Sequence, residues 1–138
     1  DAVDVWTSVR LPHRTDHINL EQVAWCVKQD RLREWGAYSG SFCFGFNEGV
    51  PGRVYATLGP ERRPDVAALE VTSFPRVHGA RRLCMHSCVG IPVAVPGGPL
   101  VFVFYSTERF TASDELVDYI IDCLHRCRFE ISVQQCQL

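Results

Sequence analysis

The chain lacks the sequence features that mark membrane proteins, repeat proteins and nucleic-acid-binding proteins. It has no apolar run of membrane-spanning length, no internal repeat and no low-complexity segment. Its basic residues are scattered, and the formal net charge is −2. A surface that holds a phosphate backbone needs a concentration of Lys and Arg. We therefore expect no membrane segment and no direct contact between this domain and nucleic acid.

The motifs of common catalytic sites are also missing. There is no Gly-x-Ser-x-Gly turn for a serine nucleophile, no His-Glu-x-x-His zinc motif and no pair of carboxylates at an informative spacing. The sequence predicts a domain that is not an enzyme and that carries no cofactor.

Seven cysteines are present in 138 residues, but they do not form a disulfide pattern. Their number is odd, their spacing is irregular, and a composition that is 46% hydrophobic supplies a core without covalent cross-links. We expect reduced thiols in a protein of the cytoplasm and nucleus, and a single domain over residues 1–138. Since the chain begins at Asp1 rather than Met, we expect it to be part of a longer protein.

The first half of the chain mixes strand and helix patterns. Residues 3–11 alternate apolar and polar side chains, which predicts a half-buried strand ended by Pro12. Residues 18–35 have apolar side chains at roughly helical spacing and favour a helix, although residues 23–27 alone could form a strand. The aromatic residues 42–46 predict a short strand.

Two short helices are predicted in the middle of the chain. The turn Gly49-Val50-Pro51-Gly52 opens a helix over residues 50–58, because proline fits the first helical turn. Residues 59–69 are rich in proline and charge and are typical of a connection. A second helix, capped by Thr72 or Ser73, is predicted within residues 74–83.

The clearest pattern is a β-hairpin in the last third of the chain. Residues 85–95 and 100–106 are strand-like and flank a Pro-Gly-Gly-Pro turn, so this pair should lie at the centre of the sheet. Residues 111–114 have the form of a capping box, and the helix over residues 114–128 has an apolar side that should cover one sheet face. The order of elements predicts an α+β fold with a central antiparallel sheet and helices packed on its faces.

Several motifs occur in a characteristic order along residues 3–125. They are Val5-Trp6-x-x-Val9, Gly49-Val50-Pro51-Gly52-Arg53-Val54, Pro60-Glu61 with Pro64-Asp65-Val66, Phe74-Pro75-Arg76-Val77 with Ala80, and Gly90-Ile91-Pro92-Val93. With these motifs the chain resembles GAF domains, and more narrowly the N-terminal GAF-like domain of the NIN-like proteins. Those are RWP-RK transcription regulators that respond to nitrate. The resemblance implies a GAF-like fold and a regulatory domain that binds a small anion, nitrate first, and acts on other domains of the same protein.

Three segments depart from the family patterns. Arg62 stands where the NIN-like family usually has Trp, and His86 stands where it usually has Arg. Residues 110–115 resemble one half of the signature of cyclic-nucleotide-binding GAF domains, but the Asn-Lys half has no counterpart. We interpret residues 110–115 as helix capping, and the ligand stays open between nitrate and a similar small anion.

The candidate ligand-binding residues carry donors near the predicted short helices. Backbone N–H groups at a helix start oppose negative charge, so the resemblance places the anion between the sheet and these helices, beside residues 50–53 or 72–76. Each candidate also has an ordinary structural role, as a surface arginine in a salt bridge or an aromatic residue of the core. The candidates are Trp35, Gly52, Arg53, Tyr55, Arg76, His86 and Tyr105.

Three alternating residues have side chains of the types that bind metals. Cys84, His86 and Cys88 would share one face of a strand. Side chains of a single strand are too widely spaced to surround a zinc ion together. We interpret these residues as part of the core or of a pocket lining, and we predict no metal site.

Two other functions stay open. The helix over residues 114–128 could be the surface for homodimerisation or protein docking of a GAF-like domain that has lost its ligand. An apolar strip on this helix that the sheet leaves uncovered would favour that role. The seven thiols could instead form a redox sensor, which selective oxidation of one cysteine by mild peroxide would favour.

Overall fold

One antiparallel sheet of six strands, in the order β3-β2-β1-β6-β5-β4, organises the protein. The computed structural model describes the backbone of residues 1–11 and 14–136 and the side chains of residues 1–9 and 18–127. The strands are β1 (Ala2–Leu11), β2 (Arg14–Val27), β3 (Cys43–Phe44), β4 (Glu61–Arg63), β5 (Ser87–Val95) and β6 (Gly98–Ser106).

Helices pack on both faces of this sheet, as the fold class predicted from the sequence requires. They are α1 (Arg33–Gly40), α2 (Gly49–Thr57), α3 (Val77–Arg82) and α4 (Asp114–Cys136), with short 3-10 turns at Asp30–Leu32 and Val66–Ala68. A larger core lies between the sheet and α1 to α3, and it includes Trp6, Trp35 and Phe74. A smaller core lies between the sheet and α4. Within the described part of the chain, none of the helices combines the length and apolar character that crossing a membrane requires.

The predicted hairpin is confirmed, although its position in the sheet differs slightly. β5 and β6 pair in continuous register from Ser87↔Ser106 to Val95↔Gly98. The two central strands are β1 and β6, which pair from Ala2↔Tyr105 to Trp6↔Val101. β5 therefore lies one strand away from the centre, beside the edge strand β4.

The helix predicted over residues 18–35 is wrong for most of its length. Residues 18–27 belong to β2, which pairs with β1 from Val9↔Asn19 to Ala2↔Val27, so residues 23–27 do form a strand. The helical spacing was misleading because its apolar members do not share one environment: Leu20 is buried, whereas Val23 is exposed. Pairing with β1 satisfies the backbone over the whole segment and outweighs local periodicity. The helix itself, α1, begins only at Arg33.

Smaller differences concern the middle of the chain. Residues 59–69 contain the short edge strand β4 and a 3-10 turn, which their polar and proline-rich composition concealed. The strand predicted over residues 42–46 shrinks to β3. Helix α2 matches its prediction closely, but α3 begins only at Val77, and its first turn has no side-chain cap, so neither Thr72 nor Ser73 caps it.

The start of α4 is capped as the sequence predicts. The Ser113 Oγ accepts a hydrogen bond from the Leu116 N–H at 3.1 Å, which makes Ser113 the capping residue of the predicted box. Val117 is buried against the sheet, with Ile120, Ile121 and Leu124 partly buried beside it. The helix extends to Cys136.

Gly52 holds the beginning of α2 against the preceding turn. A Cβ atom at this position would lie 2.2 Å from the carbonyl oxygen of Gly45. The Asn47 N–H donates to the Gly52 carbonyl at 3.0 Å, and the Gly52 N–H donates to the Glu48 carbonyl at 3.0 Å. Glycine is therefore required here for a close approach of two backbone segments.

Replacing Gly52 by alanine is expected to destabilise the fold. The added methyl group meets a backbone atom that cannot move away easily, so we expect a loss of about 1–3 kcal/mol in the free energy of unfolding, measured by urea denaturation. Gly59→Ala is the matched control, because a Cβ there meets nothing nearer than the Thr57 Oγ1 at 3.9 Å. Equal stability of the two variants would contradict this account.

Candidate functional site

The most unusual residue of the larger core is a fully buried arginine. Arg76 immediately precedes α3, and its exposed fraction is 0%. The neighbouring side chains of Phe74 and Val77 are also buried, so this segment faces inward as a whole. A buried guanidinium is costly unless it is paired and hydrogen-bonded, so its partners define the site.

One side of the guanidinium is paired with the carboxylate of Asp4, a buried residue of β1. The Arg76 Nη1 donates to Asp4 Oδ2 at 3.2 Å, to Ser39 Oγ at 2.8 Å and to the hydroxyl of Tyr105. Strands β1 and β6, helix α1 and the segment before α3 therefore meet at one nitrogen atom.

The Asp4 carboxylate is itself densely hydrogen-bonded. Besides Arg76, it accepts from Ser39 Oγ at 2.5 Å, from the Tyr105 hydroxyl at 2.9 Å and, through Oδ1, from the Gln22 side-chain amide at 3.1 Å. Burial nevertheless raises the pKa of Asp4 above its ordinary value, and the Arg76 charge and these hydrogen bonds offset the rise only in part. Burial likewise raises the pKa of Tyr105, so its hydroxyl stays protonated.

Aromatic rings enclose the guanidinium. Their faces and edges exclude water and interact favourably with a cation, so the charge of Arg76 lies in an apolar wall rather than in solvent. The rings around it, with the distance from the Arg76 Cζ to each ring centroid, are Phe74 (4.8 Å), Phe44 (5.1 Å), Tyr105 (5.4 Å), Trp6 (5.5 Å) and Trp35 (5.7 Å).

Several donors of this cluster have no partner among the described residues. These are Arg76 Nε and Nη2 and the indole Nε1 atoms of Trp6 and Trp35, all of them buried. Buried donors without an acceptor are rare in folded proteins. The Nε–H and one Nη2–H point the same way from the planar guanidinium, forming the fork that binds two oxygens of one planar oxyanion. The arrangement therefore offers two parallel donors that match a small group carrying only acceptors.

The predicted site residues fall into two groups. Trp35, Arg76 and Tyr105 come together in the buried cluster. The other four, Gly52, Arg53, Tyr55 and His86, lie outside it, and their role in ligand binding stays a prediction.

Arg53 is engaged in a structural ion pair. Its Nε and Nη2 donate to the two carboxylate oxygens of Glu61 at 2.8 and 2.9 Å, and its Nη1 donates to the Ser73 carbonyl at 2.9 Å. His86 lies elsewhere, with its Nδ1 3.6 Å from Asp65 Oδ1. Tyr55 is partly buried against the core. The fork of Arg53 is thus filled by the protein, whereas the fork of Arg76 has no acceptor among the residues that the structure describes.

The sequence analysis did not identify two of the side chains that accept hydrogen bonds from Arg76, namely Asp4 and Ser39. The alternation of β1 could have predicted the position of Asp4. Ala2, Asp4 and Trp6 lie on the same face of this strand, so the Asp4 carboxylate must point into the core. Ser39 left no comparable signal, since its role depends on where α1 docks.

An open cleft of about 300 Å³ lies at the ends of β5 and β6, beside the first turns of α4. Its described lining residues include the acidic Asp1 and Glu108, and none of them is an arginine or a lysine. The negative charges of these side chains would repel an anion. The buried cluster is the better candidate for anion binding.

The cysteines of the described segments form neither cross-links nor a metal centre. Cys26, Cys43, Cys84, Cys88, Cys123 and Cys127 are all free thiols. Nowhere in the described segments do three His, Cys, Asp or Glu side chains gather as a metal site. Cys84 is exposed, whereas burial raises the pKa of the Cys88 thiol to about 12. Selective oxidation of any of these thiols stays untested.

Replacing Asp4 by asparagine is expected to change how stability depends on pH. The raised pKa means that the folded protein holds the Asp4 proton more tightly than the unfolded chain, so this carboxyl stabilises the fold at low pH. That contribution is lost as pH rises through the raised pKa. The unfolding free energy of the wild type relative to Asp4→Asn should therefore fall as pH rises from about 4, measured by urea denaturation.

Glu61→Gln provides a control of opposite sign. Burial acts to raise the pKa of Glu61, but the hydrogen bonds and charges of Arg53 and Arg63 outweigh burial and hold the pKa below its ordinary value. The wild type should therefore gain stability over Glu61→Gln as pH rises. A difference between wild type and Asp4→Asn that does not vary with pH would contradict the analysis of Asp4.

Comparison with known proteins supports the family resemblance. No family model matches the chain. The chain is 30% identical over 101 residues to Protein NLP1 of Oryza sativa subsp. japonica, a match that covers 68% of this chain and 11% of the rice protein. The chain therefore spans about a tenth of the curated relative that it matches.

Solved structures share the fold at low sequence identity. The GAF domain of a phosphoenolpyruvate-protein phosphotransferase from Coxiella burnetii has a TM-score of 0.62 at 18% identity, over 99% of this chain and 74% of that one. The free methionine-R-sulfoxide reductase of Neisseria meningitidis, solved with its substrate, has a TM-score of 0.60 at 18% identity, over 97% and 70%. NreA of Staphylococcus aureus, mutated in its nitrate binding site, has a TM-score of 0.59 at 12% identity, over 91% and 86%.

These likenesses agree with the motifs and with the sheet order. The described strands and helices have the architecture of the GAF fold, and the sequence match covers two thirds of the chain. The protein is a GAF-fold domain that resembles the NIN-like proteins.

Proposed function

We propose that this domain is a noncatalytic sensor that binds nitrate, or a similar small planar anion, on the unpaired edge of the Arg76 guanidinium. The observation that carries the proposal is the pair of buried, unpartnered donors Nε and Nη2 inside an aromatic enclosure. An anion with two coplanar oxygens would satisfy both donors at once.

The surroundings of this edge favour a small monovalent anion. Sulfate and phosphate are strongly hydrated and would lose more solvation free energy on entering an apolar enclosure. Nitrate is planar and monovalent, and its oxygens are acceptors. The unpartnered indole N–H groups of Trp6 and Trp35 belong to rings of the same enclosure and offer further donors.

A role without catalysis is supported by the chemistry of the cluster. Structural neighbours include a reductase, so the fold alone leaves catalysis open. The thiol that lies near the cluster, Cys88, has a pKa raised by burial to about 12 and is therefore a poor nucleophile at neutral pH. Tyr105 is held as a neutral phenol by its burial.

Signalling would follow from the elements that meet at the site. Arg76 leads into α3 and is hydrogen-bonded to Ser39 of α1, so a ligand on the other edge of its guanidinium would favour one arrangement of these helices relative to the sheet. In a longer protein that shift would pass to neighbouring domains. The likeness to rice NLP1 supports a transcription regulator of the cytoplasm and nucleus, and the likeness to NreA, whose nitrate binding site was the subject of mutation, supports nitrate as the ligand.

Isothermal titration tests this function directly. Nitrate should bind the wild type with a dissociation constant in the millimolar range or below, whereas chloride and sulfate should give no binding heat. Arg76→Lys keeps the charge but loses the fork, so we expect the affinity for nitrate to fall about tenfold to a hundredfold. Trp35→Phe keeps an aromatic ring and loses one N–H, and the affinity should fall about fivefold.

Arg53→Lys is the matched control for Arg76→Lys. It alters an arginine whose fork is already occupied by Glu61, so the nitrate affinity should equal that of the wild type. Circular dichroism and urea denaturation identify variants that do not fold. Failure of the wild type to bind nitrate in the millimolar range would remove the proposed function, and equal losses in the Arg53 and Arg76 variants would remove its assignment to Arg76.

A second candidate function is homodimerisation through α4. The side chains of Leu116 and Tyr119 on this helix are 38% and 63% exposed, while Ile120 and Leu124 pack on the sheet. Exposed apolar residues one turn apart on a helix provide a surface for a second helix. The partner would be a second copy of the same helix, in a domain that has lost its ligand.

Light scattering over a range of concentrations tests dimerisation. The wild type should show a mass that rises toward twice the monomer value, and Tyr119→Glu should remain monomeric because it places a charge in the apolar contact. Glu115→Gln, on an exposed and polar position of the same helix, is the control and should behave as the wild type. A constant monomer mass at all concentrations would exclude this candidate.

A further inference from the structure

The buried cluster already contains an anion of its own. Asp4 and Arg76 have exposed fractions of 0%, and their charges cancel across the contact between Nη1 and Oδ2. A monovalent ligand anion on the opposite edge of the guanidinium would leave the cluster with one excess negative charge. Excess charge in an apolar interior is strongly unfavourable, so the arrangement needs a way to remove it.

The groups that face Asp4 show which of them can change its charge. Gln22 from β2 and Ser39 from α1 are not ionisable in this range, and Tyr105 from β6 is held as a phenol by burial. Arg76 is the charged partner, and a guanidinium does not release its proton at any ordinary pH. Cys88 from β5 lies close enough to Tyr105 and Arg76 to affect and be affected by their charges, but it stays a neutral thiol. The carboxylate is left as the group that can respond.

We propose that Asp4 is the internal counter-anion of this site and that an external anion binds together with one proton, which the Asp4 carboxylate takes up from solvent. This inference rests on the proposed function, and it adds that the anion binds together with a proton. The domain would then respond to the anion and to acidity jointly.

Protonation is compatible with the hydrogen bonds around Asp4. A neutral carboxylic acid still has acceptor capacity for Gln22 and for the hydroxyl donors, and hydroxyl groups can rotate to accept its new proton. The burial that raises the pKa of Asp4 acts in the same direction, because it favours the neutral form before any ligand arrives. A ligand anion on the same guanidinium would favour that form further.

Linkage gives the size of the effect. When one proton is taken up with each anion, the affinity rises by up to about tenfold for every unit by which pH falls, over the range in which Asp4 is ionised without ligand and neutral with it. By reciprocity, nitrate must raise the proton affinity of Asp4 by the same factor by which the proton raises nitrate affinity.

The experiment is isothermal titration of the intact chain with sodium nitrate at pH 6, 7 and 8, in pairs of buffers with different ionisation heats. The wild type should bind more tightly at lower pH and should take up close to one proton per nitrate at the pH of steepest change. Asp4→Asn is neutral at every pH, so its affinity should be independent of pH and at least about tenfold stronger than that of the wild type at pH 8.

Glu61→Gln is the matched control, because it neutralises a carboxylate that is paired with a different arginine, Arg53. It should keep the affinity and the pH dependence of the wild type. Loss of the pH dependence in Asp4→Asn alone assigns the proton to that carboxylate. Retention of the dependence in Asp4→Asn would assign it to another group and would overturn the inference.

The outcomes separate this inference from the proposed function. Nitrate binding by the wild type with the same affinity at all three pH values, and without proton uptake, overturns the role of Asp4 and leaves the nitrate function intact. Absence of nitrate binding by the wild type and by Asp4→Asn at every pH overturns both. If Asp4→Asn does not fold, the number of protons that the wild type takes up per nitrate tests the inference by itself. A value near zero contradicts it.

Discussion

The buried ion pair between Asp4 and Arg76 is the interaction on which the rest of the larger core depends. Two charges can leave water only when they are close to each other and when their remaining donors and acceptors are satisfied. Asp4 meets this condition through Gln22, Ser39, Tyr105 and Arg76. Because these partners come from β2, α1, β6 and the segment before α3, the pair requires that the sheet and the short helices dock in one relative position. Arg76 meets the condition on one side alone, and this asymmetry is what makes the cluster a candidate site rather than a purely structural contact.

The two arginines near the short helices show how a structural arginine differs from a candidate ligand-binding arginine. Arg53 has all its nitrogens bonded to Glu61 and Ser73, at the periphery of the core, and stabilises the position of α2 relative to β4. The Nε and Nη2 atoms of Arg76 are buried and have no acceptor within the described segments. One arginine is therefore structural and the other is a candidate for ligand binding. Their burial and the identity of their hydrogen-bond partners distinguish the two. The opposite face of the sheet, under α4, is packed with apolar side chains such as Val89, Ile91 and Val117.

The fold by itself leaves the activity open, since its structural neighbours include the GAF domain of a phosphotransferase, a methionine sulfoxide reductase and NreA. Function has to be argued from the site. Among the described residues, the site offers buried donors without acceptors inside an aromatic enclosure. These properties support the binding role proposed above. In the proposed mechanism, the protonation of Asp4 is the step through which pH would regulate binding.

Local patterns in the sequence determined the elements whose partners are close in the chain. The hairpin of β5 and β6, the short helix α2 and the capped helix α4 were predicted correctly because a turn, a proline or a capping serine specifies each of them locally. The motifs also led to Arg76, Trp35 and Tyr105 as separate candidates. The tertiary structure alone decided that residues 18–27 form part of strand β2, because their backbone is hydrogen-bonded to β1, a partner that local periodicity does not reveal. It alone decided, too, that Arg76 reaches Asp4, 72 residues away in sequence, while Arg53 is paired at the periphery. A guanidinium becomes a ligand site or a salt bridge according to which of its nitrogens find acceptors after the chain has folded, and that choice depends on packing between distant segments.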